Sequence, residues 1–285
     1  MALRDTIREL TSKHLDAGYS VMGQCLSAVG WVGNTLPERY DMVELPCSDV
    51  SGGGFAVGAA LGGKRPILVI RYQGFSHFNA PLIVSYAAKS KEMWGRPCPM
   101  LIRGIAMEGS IGPVAGSSHH ALWDMPGVKI RSPMTAREWT EAYAEFMDGD
   151  DVMYLSEHRS SWELDADAGD IFHIAAEAVL FPISITRIAC YQAAVFKALP
   201  VSICPIVKLR PLEVSEAALE ALQRIGRGVV LDDAHTGVAK AVSHDLARLT
   251  GAQIKVLGLE DRTAGFYRDN LPPDCDQIIQ SVKEW

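Results

Sequence analysis

Alternating strand-like and helix-like segments predict an α/β fold of two domains, each a largely parallel sheet flanked by helices. Three observations lead there. Short runs rich in Val, Ile and Leu recur between helical stretches of roughly ten or more residues, the spacing that parallel strands joined by right-handed crossovers require. The alternation stops once, at the polar and acidic stretch Arg159–Asp170 (RSSWELDADAGD), and then restarts. The chain has 285 residues, 48% apolar and 21% charged, enough for one large or two moderate domains. The division is placed at 1–160 for the first domain, 161–180 for a linker and 181–285 for a smaller second domain.

Each element has its own justification. Ala2–Leu15 is an amphipathic helix, and Val43-Glu44-Leu45 is a short strand cut off by Pro46. After the acidic Asp49, the run Ser51-Gly52-Gly53-Gly54 lets backbone come close to another surface, because glycine has no Cβ to hold it off. Ala56, Gly58, Ala59 and Ala60 suit a tightly packed helix, Gly62-Gly63 end it, and Pro66 leads into an apolar strand, Ile67–Tyr72. Pro81–Trp94 is a helix closed by Gly95. Strand Met100–Ile105, a Gly/Ser-rich loop over Gly109–Ser118, strand Val128–Ser132, helix Thr135–Met147 and strand Val152–Glu157 complete the first half. In the second half, Ile183–Ala189, Val201–Val207, Gly228–Asp232 and Gln253–Leu257 are strands of a smaller open sheet. Its helices lie near Gln192–Leu199, Ser215–Ile225, Val238–Leu249 and Gln277–Val282.

Composition removes several classes of function. A net charge of −7 argues against nucleic-acid binding. No apolar run reaches membrane-spanning length and Met1-Ala2-Leu3-Arg4-Asp5 is not a signal peptide, so a cytoplasmic protein is expected. The six cysteines form no CxxC pair and no Cys/His metal spacing, and are expected as buried reduced thiols. His120 and Asp124 share a helical spacing, but two ligands are too few for a metal site, and none is assigned. Gly52-x-Gly54-x-x-x-Gly58 is one residue too long for a dinucleotide fingerprint and has no clear feeding strand.

The stretch Glu44–Phe75 (ELPCSDVSGGGFAVGAALGGKRPILVIRYQGF) resembles the pyrimidine-binding domain of thiamine-diphosphate enzymes. The likeness is to beta subunits of 2-oxo acid dehydrogenases first, and to C-terminal halves of transketolase next. Pro46-Cys47-Ser48-Asp49 stands where the family has Pro-x-Ser-Glu, followed by the same Gly-x-Ala-x-Gly helix and an Arg-Pro before a strand. The family's catalytic glutamate therefore falls on Asp49. Leu209-Arg210-Pro211-Leu212 and Val229–Gly237 (VVLDDAHTG) match later motifs, with Asp233 in place of a glutamate.

The resemblance implies a chemistry. The coenzyme's thiazolium carbon must lose a proton, which its own 4′-amino group removes once a carboxyl hydrogen-bonds the opposite ring nitrogen. That carboxyl would be Asp49, shorter than glutamate by roughly 1.5 Å of reach. As a plain structural residue, Asp49 would instead cap the helix. Tyr72 and Phe75 lie where the family places aromatics against the pyrimidine, with core packing as the other use of such rings. The loop ending Ser117-Ser118-His119-His120 carries a histidine that would face the thiazolium and substrate, donating to an oxyanion or moving a proton. His119 is preferred over His120, and a solvated loop histidine is the alternative. His235 is a further candidate at a strand end.

The Gly-Asp-Gly and Asn-Asn elements that hold the diphosphate and metal in the family are absent; Gly149-Asp150-Asp151 is the nearest string. The resemblance thus implies thiamine diphosphate shared between two chains, with Mg2+ bound mainly by an alpha-type partner. An alpha2beta2 heterotetramer acting on a 2-oxo acid or ketose follows, inactive without its partner chain. A split transketolase, a specialised carboligase and a non-catalytic scaffold subunit are the alternatives, the last suggested by the change from glutamate to Asp49.

Overall fold

The computed structural model describes residues 2–107, 118–164, 169–262 and 270–285, apart from the side chains of Trp31 and Asp49. The first half runs α1 (Leu3–Asp16), β1 (Val21–Gly23), β2 (Val43–Glu44), α2 (Asp49–Leu61), β3 (Ile67–Ile70), α3 (Ser76–Ser85), α4 (Ser90–Trp94), β4 (Met100–Ala106), β5 (Val128–Arg131), α5 (Ala136–Asp148) and β6 (Val152–His158). The second runs β7 (Ala178–Pro182), α6 (Thr186–Phe196), β8 (Val201–Ile203), β9 (Lys208–Arg210), β10 (Leu212–Glu213), α7 (Glu216–Ile225), β11 (Arg227–His235), α8 (Gly237–Thr250), β12 (Gln253–Leu259) and α9 (Cys275–Lys283). Local chemistry sets many of the boundaries. Thr135 and Ser215 accept N–H bonds at the starts of α5 and α7, and Asp274 with Gln277 forms a capping box on α9. Gly226 and Gly251 close α7 and α8 in the left-handed conformation that glycine adopts without strain.

An eight-stranded sheet has the order β10-β9-β5-β6-β4-β3-β1-β2, and a four-stranded sheet the order β12-β11-β7-β8. The smaller sheet is parallel throughout. In the larger one β1 to β6 pair in parallel, while β9 and β10 add an antiparallel edge at β5. The chain therefore crosses back from the second sheet to the first before α7. Sequence alternation could not reveal that return, because β9 and β10 are too short to carry a periodic signal.

Period-two alternation sorts the strand residues into three apolar cores. Ile67, Val69, Leu101, Ile105, Met153 and Leu155 face α1 and α5 on one side of the large sheet. Their neighbours Leu68, Ile70, Ile102 and Tyr154 face the opposite way, into a core shared with Phe181 and Val230 of the smaller sheet and with α2, α3, α7 and α8. Leu180, Val201, Val229 and Leu231 point outward to α6 and α9. Both sheets are thus covered on both faces, as parallel strands require.

Two expected elements differ. The strand placed at Ile183–Ala189 is the turn into α6, and the strand itself is β7, five residues earlier. Ser184 turns the chain at φ 55°, after which Cys190 and Ala193 are buried at helical spacing, so the β-branched Ile183, Ile185 and Thr186 misled by propensity alone. Likewise, the single helix over Pro81–Trp94 is split: α3 starts earlier and ends at Ser85, and a 3-10 turn at Ala87–Lys89 precedes α4. No helix among the described residues is long and apolar enough to cross a membrane.

Candidate active site

The C-terminal ends of β1 and β3 and the start of α2 meet at one edge of the large sheet. Asp49 is the first helical residue of α2, one past the cap position held by Ser48, so capping is not its backbone role. Its side chain lies outside the described residues. Gly53 is what lets α2 come so close to α3: a Cβ there would stand 2.4 Å from the carbonyl oxygen of Asn79. Beside this contact is a cleft of about 20 Å³ bordered by Gly23, Gly52, Arg71, Phe75 and Asn79. A Cβ on Gly52 would lie 3.3 Å from Asn79 Oδ1 and narrow it further.

Tyr72 and Phe75 flank the turn after β3, both half-buried, with ring centres 6.0 Å apart and planes tilted by 40°. The Arg71 guanidinium lies 5.1 Å from the centre of the Tyr72 ring. Gln73, between the two aromatics, is buried. Exposed His77 stands edge-on to half-buried His119, ring centres 5.6 Å apart. The structure thus brings Tyr72, Phe75 and His119 to the same turn, with the start of α2 across from it. Residues 108–117 of the Gly/Ser-rich loop lie outside the described residues.

His120 goes the other way. It has no exposed surface, its Nε2 is 2.9 Å from Asp232 Oδ2, and its Nδ1 is 3.3 Å from Ser156 Oγ. A carboxylate only accepts, so Nε2 carries the proton. Burial opposes a charged imidazole, but the Asp232 carboxylate and its hydrogen bond, helped by Asp233, outweigh it and raise the His120 pKa. Asp233, also buried, accepts from Ser118 Oγ at 2.8 Å and Ser184 Oγ at 3.1 Å. Burial, reinforced by the charge of Asp232, pushes the Asp233 pKa up to about 7 against the pull of His120 and the two serines. The group lies at the junction of the two sheets, since Ser118 and His120 follow the large sheet's β4 while Asp232 and Asp233 end β11. Among the described residues, His120, Asp232 and Asp233 are the one set of three or more side chains with metal-ligand chemistry close together. His120 Nε2 is joined to Asp232 Oδ2, and Asp233 Oδ2 to two serines, while Asp232 Oδ1 and Asp233 Oδ1 are buried without a hydrogen-bond partner; the raised Asp233 pKa lets a proton neutralise the second carboxyl.

Sequence reasoning named the His-His pair and preferred His119, without any residue that would hold the two apart. It also missed Gln73, Ser118, Ser156 and Ser184, polar residues with no motif of their own. The signal that did exist was the Asp232-Asp233 pair inside an otherwise apolar strand. His235, by contrast, is exposed at the end of β11.

The chain is similar to known proteins in sequence and in fold. Residues 28–163 match the family described as the transketolase pyrimidine binding domain. The chain is 27% identical over 246 residues to the acetoin:2,6-dichlorophenolindophenol oxidoreductase subunit beta of Cupriavidus necator, covering 77% of this chain and 70% of that one. It is 33% identical over 103 residues to the beta subunit of the mitochondrial pyruvate dehydrogenase E1 component of Homo sapiens, a match spanning 34% of this chain but only 28% of that protein. A solved structure titled split gene transketolase, inactive beta4 tetramer, superposes over 100% of this chain and 97% of its own, with a TM-score of 0.74 at 14% identity; at that identity the likeness is one of fold.

Proposed function

Because the chain belongs to the thiamine-diphosphate-dependent family of beta-type subunits built on this pyrimidine-binding domain, we propose that it is one half of a heteromeric enzyme acting on a 2-oxo acid or ketose. An alpha-type subunit, bearing the diphosphate and Mg2+ contacts, completes the site in the cytoplasm, in an alpha2beta2 assembly. The observation that carries this reading is the half-built cleft. Half-buried Tyr72 and Phe75 and the bare backbone of Gly52 suit the edge of an aminopyrimidine ring. A space of about 20 Å³ is far too small to enclose a coenzyme, which supports a site with further walls from a second chain.

The face of α2 supports such a surface. Val50, Phe55 and Val43 are exposed, and Gly54, Phe55 and Gly58 line a shallow apolar depression beside them. Apolar area of this kind is normally covered by a partner.

Thiamine diphosphate, when bound, supplies a carbon acid that becomes a nucleophile toward a carbonyl. The protein's part is to place and polarise. Asp49, at the start of α2, would share a hydrogen bond with a pyrimidine nitrogen, with one carbon less of reach than a glutamate has. Tyr72 and Phe75 would hold the ring's orientation. His119 would donate a hydrogen bond to oxygen developing charge on the substrate, or carry a proton to or from it. Decarboxylation and ketol transfer share these demands, and the residues that separate them belong to the partner.

The test is purification of the chain from its native cells, with mass spectrometry of what accompanies it. A co-purifying chain carrying Gly-Asp-Gly and Asn-Asn, and turnover of 2-oxo acids or ketose phosphates only by the pair, is the expected result. Recovery of the chain alone, or of an assembly whose turnover survives Asp49→Ala, would move it to the scaffold role.

A further inference from the structure

We propose that Gln73 is the positioning residue that makes His119, rather than His120, the histidine of the active site. This rests on the reading of that site given above. The Gln73 amide is used at both ends. Its Oε1 accepts the backbone N–H of His119 at 2.5 Å. Its Nε2 lies 3.0 Å from the carbonyl oxygen of Gly104, 3.1 Å from Ser156 Oγ and 3.2 Å from the carbonyl oxygen of Glu157. Gly104 and Glu157 belong to the paired strands β4 and β6, so the side chain is anchored on the most deeply buried part of the large sheet. It is 1% exposed.

The geometry has a consequence for the two histidines. Ser156 Oγ is shared: it faces Gln73 Nε2 on one side and His120 Nδ1 on the other. A continuous hydrogen-bonded path therefore runs from Asp232 through His120, Ser156 and Gln73 to the main chain of His119. His120 is held inward by its two side-chain bonds. His119 is held through its backbone N–H by Gln73, and its imidazole is half-buried and edge-on to His77, beside the turn bearing Tyr72 and Phe75. An amide is the one side chain that does this work. It offers an acceptor to an N–H and donors to carbonyl oxygens at once, and a carboxylate would place charge against those carbonyls. Gln73 touches no reacting atom; it acts through His119.

Two measurements test the assignment. In the full chain, backbone exchange of His119 is followed by NMR in the wild type and in Gln73→Met, which keeps length but neither bond. Exchange at His119 should quicken by tenfold or more, while the amides of Val152–Glu157 stay protected. Unchanged exchange at His119 would overturn the proposal. Should Gln73→Met fail to fold, Gln73→Glu keeps the acceptor, and it should keep slow exchange at His119; fast exchange there would also overturn it. The second measurement is a cycle in the assembled enzyme with pyruvate as the 2-oxo acid probe. His119→Ala and Gln73→Met should each lower kcat more than they raise KM, and the double variant should be no slower than His119→Ala alone. A slow His119→Ala beside an unaffected Gln73→Met sinks the proposal and leaves the site standing. An unaffected His119→Ala removes His119 from the site itself, and the exchange result then decides only whether Gln73 holds the loop.

Discussion

His119 and His120 are neighbours in the chain and opposites in the structure. One stands at the rim beside Tyr72, Phe75 and His77, with its backbone N–H bonded to Gln73 and its imidazole partly open to solvent. The other is enclosed at the junction of the two sheets, with both ring nitrogens facing polar partners. The contrast separates two uses of polar chemistry. At the junction, every group was taken out of water, so its bonds must be supplied by the protein and their loss is felt as instability. At the rim the imidazole is only half-buried, and an accessible side chain is what binding or catalysis can draw on.

Four substitutions probe that contrast. His120→Ala leaves Asp232 and Asp233 together in the interior without their one neutralising neighbour, and should cost about 3–5 kcal/mol in denaturant unfolding. A loss below about 0.5 kcal/mol would mean that the junction is wet or open, and the contrast would collapse. Asp49→Ala should do the reverse: turnover of the assembled enzyme falls by about a hundredfold or more, with the melting midpoint of the chain unmoved.

The third is a pH experiment. The folded pKa of Asp233 is raised from the ordinary 3.8 to about 7, so the fold favours its protonated form. The stability this provides is complete below pH 3.8 and is lost as pH climbs through about 7. His120, also raised above its ordinary value, changes in the same direction. Burial lowers His14 to about 4 and His158 to about 3, and these oppose the trend because their stability is present above pH 6.5 and fades as pH falls. They are common to the wild type and to Asp233→Asn, so the difference between the two reports Asp233 together with its pull on His120. Between pH 5 and pH 8 the wild type should lose stability relative to the variant; parallel curves would show that Asp233 is ionised throughout. The smallest effect is expected from His119→Ala, whose unfolding free energy should stay within about 0.5 kcal/mol of wild type even where turnover falls. A larger loss would make the rim histidine structural, like its neighbour.

Much of this was legible in the chain. The apolar runs that became β3, β4, β6 and β11 are long enough, and sufficiently bounded by Gly and Pro, to announce buried parallel strands. The Pro-Cys-Ser-Asp motif and the Gly-rich helix announced the pyrimidine-binding domain. Failures came where local and tertiary signals disagreed. Ile183–Ala189 has strand propensity, yet its place after β7 demands a crossover helix to reach β8 on the neighbouring edge. The β9–β10 edge left no periodic trace at all.

What the sequence by itself determined is the set of layers, because period-two and period-3.6 burial are properties of a segment and its own residues. It also carried the likeness to a pyrimidine-binding domain, because the motif behind that likeness is contiguous. Only the tertiary structure decided which histidine is enclosed at the junction and which stands at the rim. The decision was made by Asp232, Ser156 and Gln73, which are 112, 36 and 46 residues from the histidines they hold, and whose carboxylate, hydroxyl and amide can be assigned partners only once the sheets bring them together.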